Sequence, residues 1–266
     1  METLKHLSIL MLGSDAIIGT GSKLEPNLRW HKLTVTSSKF SKEVAGSLLS
    51  ASLLITRSGS QGTELKVPED LYYSQLYHHK YKLMIGYIFY NKKLNQLFII
   101  FTGTYGIHLI GTDIMYAQDE LKGLSGFKQG FKGHGGIYDI YLGIRDQIIQ
   151  NLKNVAKKSP KVIISGHSLG GALSVFCSWD LAKYDPINYS FASPLVFNPA
   201  AAEEFNRRIT HSYRIHNESD LVTLMPLPIM PNGDLFNPVG KSVQFVRNYG
   251  NESHNHVTAY LDEFAN

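Results

Sequence analysis

The segment Gly166-His-Ser168-Leu-Gly170 places a serine between two glycines, where an apolar run gives way to a helical pattern. The chain must reverse sharply from strand to helix here, and glycines two residues before and after the serine remove side chains that would clash. Such a turn lifts the serine hydroxyl to a helix N-terminus, where backbone N–H groups favour developing negative charge. We therefore predict that Ser168 is a nucleophile and that the N–H of Leu169 donates to the oxyanion.

The pattern Gly-x-Ser-x-Gly is weak evidence by itself, because it should arise by chance in roughly one chain in ten of this length. A second serine segment, Ser58-Gly-Ser-Gln-Gly62, serves as an internal comparison. It follows an apolar run but lacks the first glycine, and it leads to Lys66-Val-Pro68 rather than to a helix. Only the segment around Ser168 has strand, turn and helix in order, and an ordinary glycine-rich turn is the alternative interpretation.

A serine hydroxyl is a poor nucleophile until a histidine accepts its proton and a carboxylate orients that histidine. Asp220 is the candidate carboxylate, since it follows the predicted strand Ser212 to His216 at the end of a parallel sheet where active sites lie. His254 and His256 both come after Asp220 in the chain. Two residues apart, they cannot aim at the same point, and the residues alone leave both open as the base.

The segments around these residues predict alternating strands and helices. Two β-prone runs, Leu83 to Tyr90 and Leu97 to Thr102, are predicted to form a hairpin through Asn91 to Asn95. Apolar residues from Ile137 onward lie on one face of a helix that ends at Ser159-Pro160. The later elements are the strand Lys161 to Ser165, a helix from Leu169 to Trp179, the strands Tyr189 to Ser193 and Ser212 to His216, and a helix from Glu203 to Ile209. This alternation predicts an α/β fold with a mostly parallel sheet and helices on both faces.

One compact domain over residues 1–266 is expected, because a chain of 266 residues that is 43% hydrophobic can bury a sizeable core. Residues 13–80 predict helix and loop that cover a sheet edge, so residues 1–80 are expected to form an irregular N-terminal cover. The segment Gly103 to Gly133 contains too many glycines for one helix.

The charge pattern gives little support to nucleic-acid binding. The formal net charge of +4 and the isoelectric point near 8.9 are mild, and the basic residues are scattered rather than gathered in a stripe. An anionic lipid surface is compatible with this charge. The one cysteine, Cys177, lies in an apolar helical context and is predicted to be a small buried residue. No cofactor is expected, and the oligomeric state is left open.

The N-terminal residues faintly resemble a signal peptide, with Lys5 and His6 before the apolar run Leu7 to Leu12. Ser8 interrupts that run, which is shorter than most signal regions, so we favour the cytoplasm over secretion. No apolar stretch approaches the roughly 20 residues that span a bilayer. We expect a soluble protein without a transmembrane segment.

Several motifs together resemble those of the class 3 lipases, the fungal-lipase-like branch of the α/β-hydrolases. The resemblance runs from about Leu83 to Leu261 and includes the segment Gly-His-Ser-Leu-Gly-Gly-Ala-Leu around Ser168. The other motifs are Phe101-Thr-Gly-Thr104, Phe191-Ala-Ser-Pro194, Asn217-Glu-Ser-Asp220-Leu-Val222 and the proline-rich Met225-Pro-Leu-Pro228. The resemblance implies an α/β-hydrolase fold and the chain order serine, acid, histidine, which Ser168, Asp220 and either late histidine satisfy.

The same resemblance suggests the remaining site residues. The family has a histidine a few residues before an aromatic residue near its end, which favours His256 over His254. It places a serine or threonine at the position of Thr104, whose N–H would be the second oxyanion donor beside Leu169. Thr102 departs from the arginine usual in the family at its position.

The stretch Tyr105 to Gly133 occupies the place of the family's lid, a flap that would open at an oil or membrane surface. Its apolar residues are Ile107, Leu109, Ile110, Ile114, Met115 and Tyr116. A plain connecting loop is the alternative. His134, at the entry to the following helix, and His167, beside the nucleophile, are expected to be packing or hydrogen-bonding residues.

These inferences favour a serine hydrolase that cleaves carboxylic esters of lipids, foremost acylglycerols, through a Ser-His-Asp triad and an acyl-enzyme. A phospholipase A1-type enzyme and a carboxylesterase for soluble esters are alternatives. A catalytically silent lipid- or protein-binding domain is an alternative of another class. Metal-dependent hydrolysis through His254-x-His256 or His78-His79 lacks a carboxylate at convincing spacing, so no metal is expected.

Overall fold

A seven-stranded sheet forms the centre of the protein in this computed structural model, which describes residues 33–61, 65, 67, 71–103, 117–156 and 159–265. The strand order is β1-β2-β3-β6-β7-β8-β9, and a separate two-stranded ribbon pairs β4 with β5. The strands are β1 (Leu71–His78), β2 (Leu83–Asn91), β3 (Gln96–Phe101), β4 (Gln118–Glu120), β5 (Lys132–His134), β6 (Lys161–His167), β7 (Ile187–Phe191), β8 (Ser212–Asn217) and β9 (Lys241–Phe245).

The sheet is mostly parallel, which confirms the predicted α/β class. Strands β1, β2 and β3 pair antiparallel, and the predicted hairpin between β2 and β3 is present with Asn91 opposite Gln96. In the seven-stranded sheet, every neighbouring pair of strands from β3 to β9 is parallel. All residues of β3 and β7 are buried, as expected of strands covered on both faces.

Helices cover both faces of the sheet, as predicted. The helices are α1 (Lys42–Gln61), α2 (Gly135–Ala156), α3 (Leu169–Asp180), α4 (Pro199–Arg208) and α5 (Ala259–Phe264). Helices α2, α3 and α4 pack in one hydrophobic cluster with Leu97, Ile99 and Phe101 of β3, whereas α1 and α5 pack in the other cluster with Phe98 and Ile100. Alternate residues of one strand therefore anchor both layers.

Helix α2 carries the apolar face that the sequence predicts. The residues that form this face are all buried: Ile137, Ile140, Tyr141, Ile144, Ile148 and Leu152. All twelve residues of helix α3 are buried, including Cys177 as predicted. A helix that lies between the sheet and another helix needs an apolar surface all round. Tyr138 and Tyr141 of α2 stack on Phe176 of α3 at this contact.

The expectation of helix and loop alone for residues 13–80 is partly wrong, because Leu71–His78 forms the edge strand β1. Only scattered positions of β1 are buried, so its sequence lacks the apolar run of a central strand. The opposite edge strand β9 is missed for the same reason, since none of its five residues is buried. Helix α1 continues to Gln61 and so includes most of the comparison segment at Ser58.

The predicted lid is too long at its C-terminal end. Residues 118–134 contain the β4–β5 ribbon, and Leu121, Leu124 and Phe131 are buried in the core. The indole Nε1 of Trp179 donates to the carbonyl of Ser125, which fixes this segment against α3. Residues 104–116, with all six apolar residues assigned to the lid and with Thr104, lie outside the described residues. The lid thus stays a prediction for that stretch.

Helix α4 begins four residues before the predicted Glu203. The side chain of Asn198 caps it by accepting a hydrogen bond from the N–H of Ala201, and Pro199 occupies the first turn. No helix within the described ranges is long and apolar enough to cross a bilayer. The N-terminal segment considered as a signal peptide lies in residues 1–32, which the structure does not describe.

Candidate active site

Ser168 lies in the sharp turn between β6 and α3, with φ of 59° and ψ of −125°. A Cβ atom on Gly166 would lie 2.2 Å from the carbonyl oxygen of Gly170, and a Cβ on Gly170 would lie 2.4 Å from that of Thr102. Both flanking glycines are therefore required by close backbone contacts, as the sequence predicts. The N–H of Ser168 donates to the carbonyl of Phe191 at 2.9 Å, which ties the strained residue to β7.

Helix α3 begins immediately after Ser168. Leu169 is the first helical residue, and the N–H of Ala172 donates to the carbonyl of Ser168 at 3.2 Å. The first N–H groups of a helix have no acceptor within it, and they carry the positive end of the helix dipole. This end of α3 can therefore stabilise negative charge that develops beside the Ser168 hydroxyl.

Asp220 is a fully buried carboxylate that follows β8 and begins a single 3-10 turn, Leu221–Leu224. Its oxygens accept hydrogen bonds from the N–H of Val222 at 3.0 Å and from the hydroxyl of Tyr260 at 2.7 Å. Burial alone would raise the pKa of Asp220, but the charge and hydrogen bond of His256, with the Tyr260 hydroxyl, hold that pKa below its ordinary value. Asp220 is thus ionised.

His256 pairs with Asp220, and His254 does not. The Nδ1 atom of His256 lies 2.9 Å from Oδ2 and 3.0 Å from Oδ1 of Asp220. The Nδ1 atom of His254 instead lies 2.7 Å from the amide oxygen of Asn251. The geometry therefore brings the histidine that the family resemblance favours, His256, onto the acid.

The pairing fixes the protonation of His256. Burial lowers the pKa of this imidazole, but the charge and hydrogen bond of Asp220 raise it above its ordinary value. With Nδ1–H directed at a carboxylate, Nε2 is left as the basic nitrogen. The residue belongs to one π-helical turn, His254–Thr258, immediately before α5. Such turns are frequent at functional sites because the extra residue rotates the side chains that follow.

His167 joins this pair to the serine turn. Its Nε2 donates to the backbone carbonyl of His256 at 2.7 Å, and the two imidazole centroids lie 4.7 Å apart. Burial, followed by the charge of His256, lowers the pKa of His167 to about 3, so it stays neutral. The expected hydrogen-bonding role of His167 is confirmed. Because His167 directly precedes Ser168, its bond holds the backbone of His256 next to the serine turn.

Tyr260 supports the acid from α5. Four residues after His256, it lies on the same helical face, and its hydroxyl both donates to Asp220 and accepts from the N–H of Asn217 at 3.0 Å. Burial raises the pKa of Tyr260 well above its ordinary value, so the hydroxyl keeps its proton. The sequence pattern marks an aromatic residue after the histidine but does not reveal this contact.

A second carboxyl group, Glu252, lies beside Asp220 and was not found from the sequence. Its Oε1 accepts a hydrogen bond from the N–H of Leu221, the residue after Asp220, at 2.7 Å. Burial and the neighbouring negative charge of Asp220 raise the pKa of Glu252 to about 7. No motif or spacing marks Glu252, because its role depends on the turn that brings residues 252 and 220 together.

The end of β3 lies next to the serine turn, close to Gly170. Thr102, which replaces the family's usual arginine, is buried and anchored to β2, since its N–H and its hydroxyl both bond to the carbonyl of Ile85. The N–H of Gly103 donates to the hydroxyl of Thr56 on α1 at 2.7 Å. Thr104, the predicted second oxyanion donor, lies just beyond the described residues, and its role stays a prediction.

The histidines considered as metal ligands are engaged separately. His78 stacks on Tyr81 at 4.4 Å between centroids and packs against Gly143, while His254 and His256 contact different partners. Within the ranges that the structure describes, no three histidine, cysteine or acidic side chains gather as a metal site would require.

Residues 98–230 match the sequence profile of the family described as lipase (class 3). A lipase from Rhizomucor miehei is 27% identical over 139 residues, which are 49% of this chain and 37% of that protein. A chloroplastic phospholipase A(1) from Arabidopsis thaliana is 28% identical over 102 residues, which are 36% of this chain and 23% of that protein. The matched regions thus span well under half of these relatives' lengths.

The fold has counterparts among solved structures. A triacylglycerol lipase from Penicillium expansum superposes with a TM-score of 0.61 at 22% identity, and the match covers 80% of this chain and 82% of that one. At this identity, the likeness concerns the fold alone. Together with the sheet order, it confirms the predicted α/β-hydrolase architecture.

Proposed function

Because the chain belongs to the class 3 lipase family, we propose that it is a serine hydrolase that cleaves carboxylic esters of lipids. The observation that carries this proposal is the buried Asp220–His256 pair, which His167 ties to the glycine-flanked turn at Ser168. A nucleophile, a base and an orienting acid are the minimum set for acyl transfer by serine.

In the proposed reaction, Oγ of Ser168 attacks the ester carbonyl while Nε2 of His256 takes the hydroxyl proton. Asp220 stabilises the resulting imidazolium and keeps its Nδ1–H directed at the carboxylate. The N–H of Leu169, with that of Thr104, stabilises the tetrahedral oxyanion. The imidazolium then returns its proton to the departing alcohol, which leaves an ester between the acyl group and Ser168.

Deacylation reuses the same groups. Water gives a proton to Nε2 of His256 and its oxygen attacks the acyl carbonyl, after which Ser168 leaves with the proton and the carboxylic acid is released. A histidine whose pKa lies above the ordinary value is a stronger base once it is neutral, and it is neutral on the alkaline side of that pKa. No cofactor enters this scheme.

Lipid substrates are supported by exposed apolar side chains in the segment that follows Asp220 in the chain. These are Leu221 (45% exposed), Leu224 (50%), Leu227 (48%), Ile229 (69%) and Leu235 (43%). Large exposed apolar side chains favour contact with an apolar phase. We propose acylglycerols as the main substrate class, taken up at a lipid–water interface. The relatives named as lipases point the same way.

A phospholipase A1-type activity is the second candidate, since one relative bears that name. An assay on acylglycerols, diacyl phospholipids and short soluble esters, each below and above its solubility limit, distinguishes a lipase from a phospholipase and from an esterase. The proposal expects acylglycerol hydrolysis that rises above the limit. Faster release of fatty acid from phospholipid would favour the second candidate, and activity confined to soluble esters would favour an esterase.

We further propose that residues 1–266 act as one domain with a lipid ester as its partner. The preference for the cytoplasm over secretion has no support among the compared proteins. It stays a prediction from the N-terminal sequence.

A further inference from the structure

Two hydroxyl side chains on α1, Ser52 and Thr56, are completely buried on the face of the helix that packs against the sheet. Their neighbours on this face are apolar, among them Leu48, Leu49 and Ile55. Hydroxyl groups at such positions need hydrogen-bond partners, because burying one without a partner is costly. Both find partners at the ends of β3 and β6.

Ser52 joins the two strand ends directly. Its Oγ donates to the carbonyl of Phe101 at 2.8 Å and accepts from the N–H of His167 at 3.1 Å. Phe101 is the last residue of β3, and His167 is the last residue of β6 and precedes Ser168. One hydroxyl therefore bridges the ends of these two paired strands at the edge where the serine turn leaves the sheet.

Thr56, one helical turn later, extends the connection. Its Oγ1 donates to the carbonyl of Ser52 at 2.7 Å and accepts from the N–H of Gly103 at 2.7 Å. Gly103 immediately precedes Thr104, the proposed second oxyanion donor. The four hydrogen bonds thus form a continuous path from the Gly103 backbone, through Ser52, to the residue before the proposed nucleophile.

We propose that Ser52 and Thr56 are positioning residues for ester hydrolysis, which hold the backbone from Phe101 to Gly103 at a fixed separation from the turn at Ser168. This inference rests on the proposed function. Helix α1 lies outside residues 98–230, so the family match does not point to these two side chains. A displacement of about 1 Å at a reacting centre can lower turnover by about a hundredfold.

The test compares substitutions that remove or retain one hydroxyl. Thr56→Val removes the hydroxyl at nearly constant shape, Thr56→Ser retains it, and Ser52→Ala removes the other. Ser178→Ala is the matched control, because the buried hydroxyl of Ser178 donates to the carbonyl of Ser174 within α3. Each variant is assayed on a soluble ester for kcat and KM, and for inhibition by an alkyl boronic acid that mimics the tetrahedral adduct.

The expected result is a fall in kcat of about 10- to 100-fold for T56V and S52A, with KM within about twofold of wild type. Boronic acid inhibition should weaken in proportion to kcat. T56S and S178A should stay within about threefold of wild type in both measurements. Thermal unfolding of every variant shows how much fold stability each change costs.

Wild-type kcat in T56V and S52A, or losses no larger than that of S178A at equal stability, would overturn the positioning role. If T56V does not fold, S52A against S178A decides the question alone. A wild-type protein that neither hydrolyses esters nor reacts with a fluorophosphonate would overturn the proposed function as well. An active enzyme with unaffected variants would overturn only the inference about α1.

Discussion

The Nδ1 atom of His256 lies 2.9 Å from Oδ2 of Asp220, with 7% of the His256 side chain and none of the Asp220 side chain exposed to solvent. Removing one partner of such a pair leaves the other buried and uncompensated, which is strongly destabilising to its charged form. The Tyr260 hydroxyl and the Val222 N–H satisfy the rest of the carboxylate. The pair is therefore built to hold one orientation of the imidazole.

Replacing His256 should lower kcat strongly, whereas replacing His254 should hardly change it. His256→Ala removes the proposed base and should lower kcat by a factor on the order of 10⁴ or more, by analogy with other serine hydrolases. His254→Ala removes a contact with Asn251 and ring packing against Tyr249, and it should leave kcat within about threefold. Hydrolysis of a soluble ester by each purified variant checks this. A large loss in H254A with activity retained in H256A would contradict the assigned pairing.

Glu252 should make stability depend on pH. Its pKa of about 7 in the folded protein lies above the ordinary value of 4.5, so its contribution to stability is complete below about pH 4.5 and is lost as pH rises through 7. Glu252→Gln removes this titration. The Tm of E252Q minus that of wild type should therefore increase between pH 5 and pH 8, by roughly 2–4 °C for each kcal/mol involved.

The control for this measurement is Glu203→Gln, an exposed position on α4. E203Q should shift the Tm by the same amount at both pH values. A difference between E252Q and wild type that stays constant from pH 5 to pH 8 would contradict the shifted titration of Glu252. Since Glu252 is only partly buried, solvent screening keeps the effect modest.

Gly170→Ala should destabilise the fold through backbone contact alone. The added Cβ would lie 2.4 Å from the carbonyl oxygen of Thr102 and 2.8 Å from that of Phe101, and neither backbone atom can move cheaply. We expect a cost of about 1–3 kcal/mol in the free energy of unfolding, measured by urea denaturation. Gly103→Ala is the control, because its Cβ would make only ordinary contact, 3.5 Å from the His167 carbonyl. Equal stability of the two variants would refute the close-approach argument.

The central elements could be predicted from the sequence because burial leaves a readable pattern. Strands such as β3 and β6 are covered on both faces and appear as continuous apolar runs, and α2 shows a clear helical period. The edge strands β1 and β9 were missed because exposed residues need no such pattern. The extent of the lid was misjudged because glycines and turns in residues 117–133 hide a segment that packs on Trp179.

Some residues of the proposed site could likewise be predicted from the sequence, and others could not. Ser168 was found through its two flanking glycines, because the sharp strand-to-helix turn requires them. Asp220 and His256 were found only with the help of chain order and family resemblance, since the residues alone left His254 open. Ser52, Thr56 and Glu252 were not found, because each bonds to a partner 31 to 115 residues away and no local spacing records that contact.

The most direct test is the intact mass of the protein after reaction with an alkyl fluorophosphonate, with peptide mapping of the adduct. An activated serine forms a stable phosphonyl ester by displacing fluoride, whereas an ordinary surface serine does not react. We predict one adduct per wild-type chain, located on Ser168, and no adduct on S168A. An unlabelled wild-type protein, or an S168A variant labelled as readily as wild type, would contradict the assignment of Ser168 as the nucleophile.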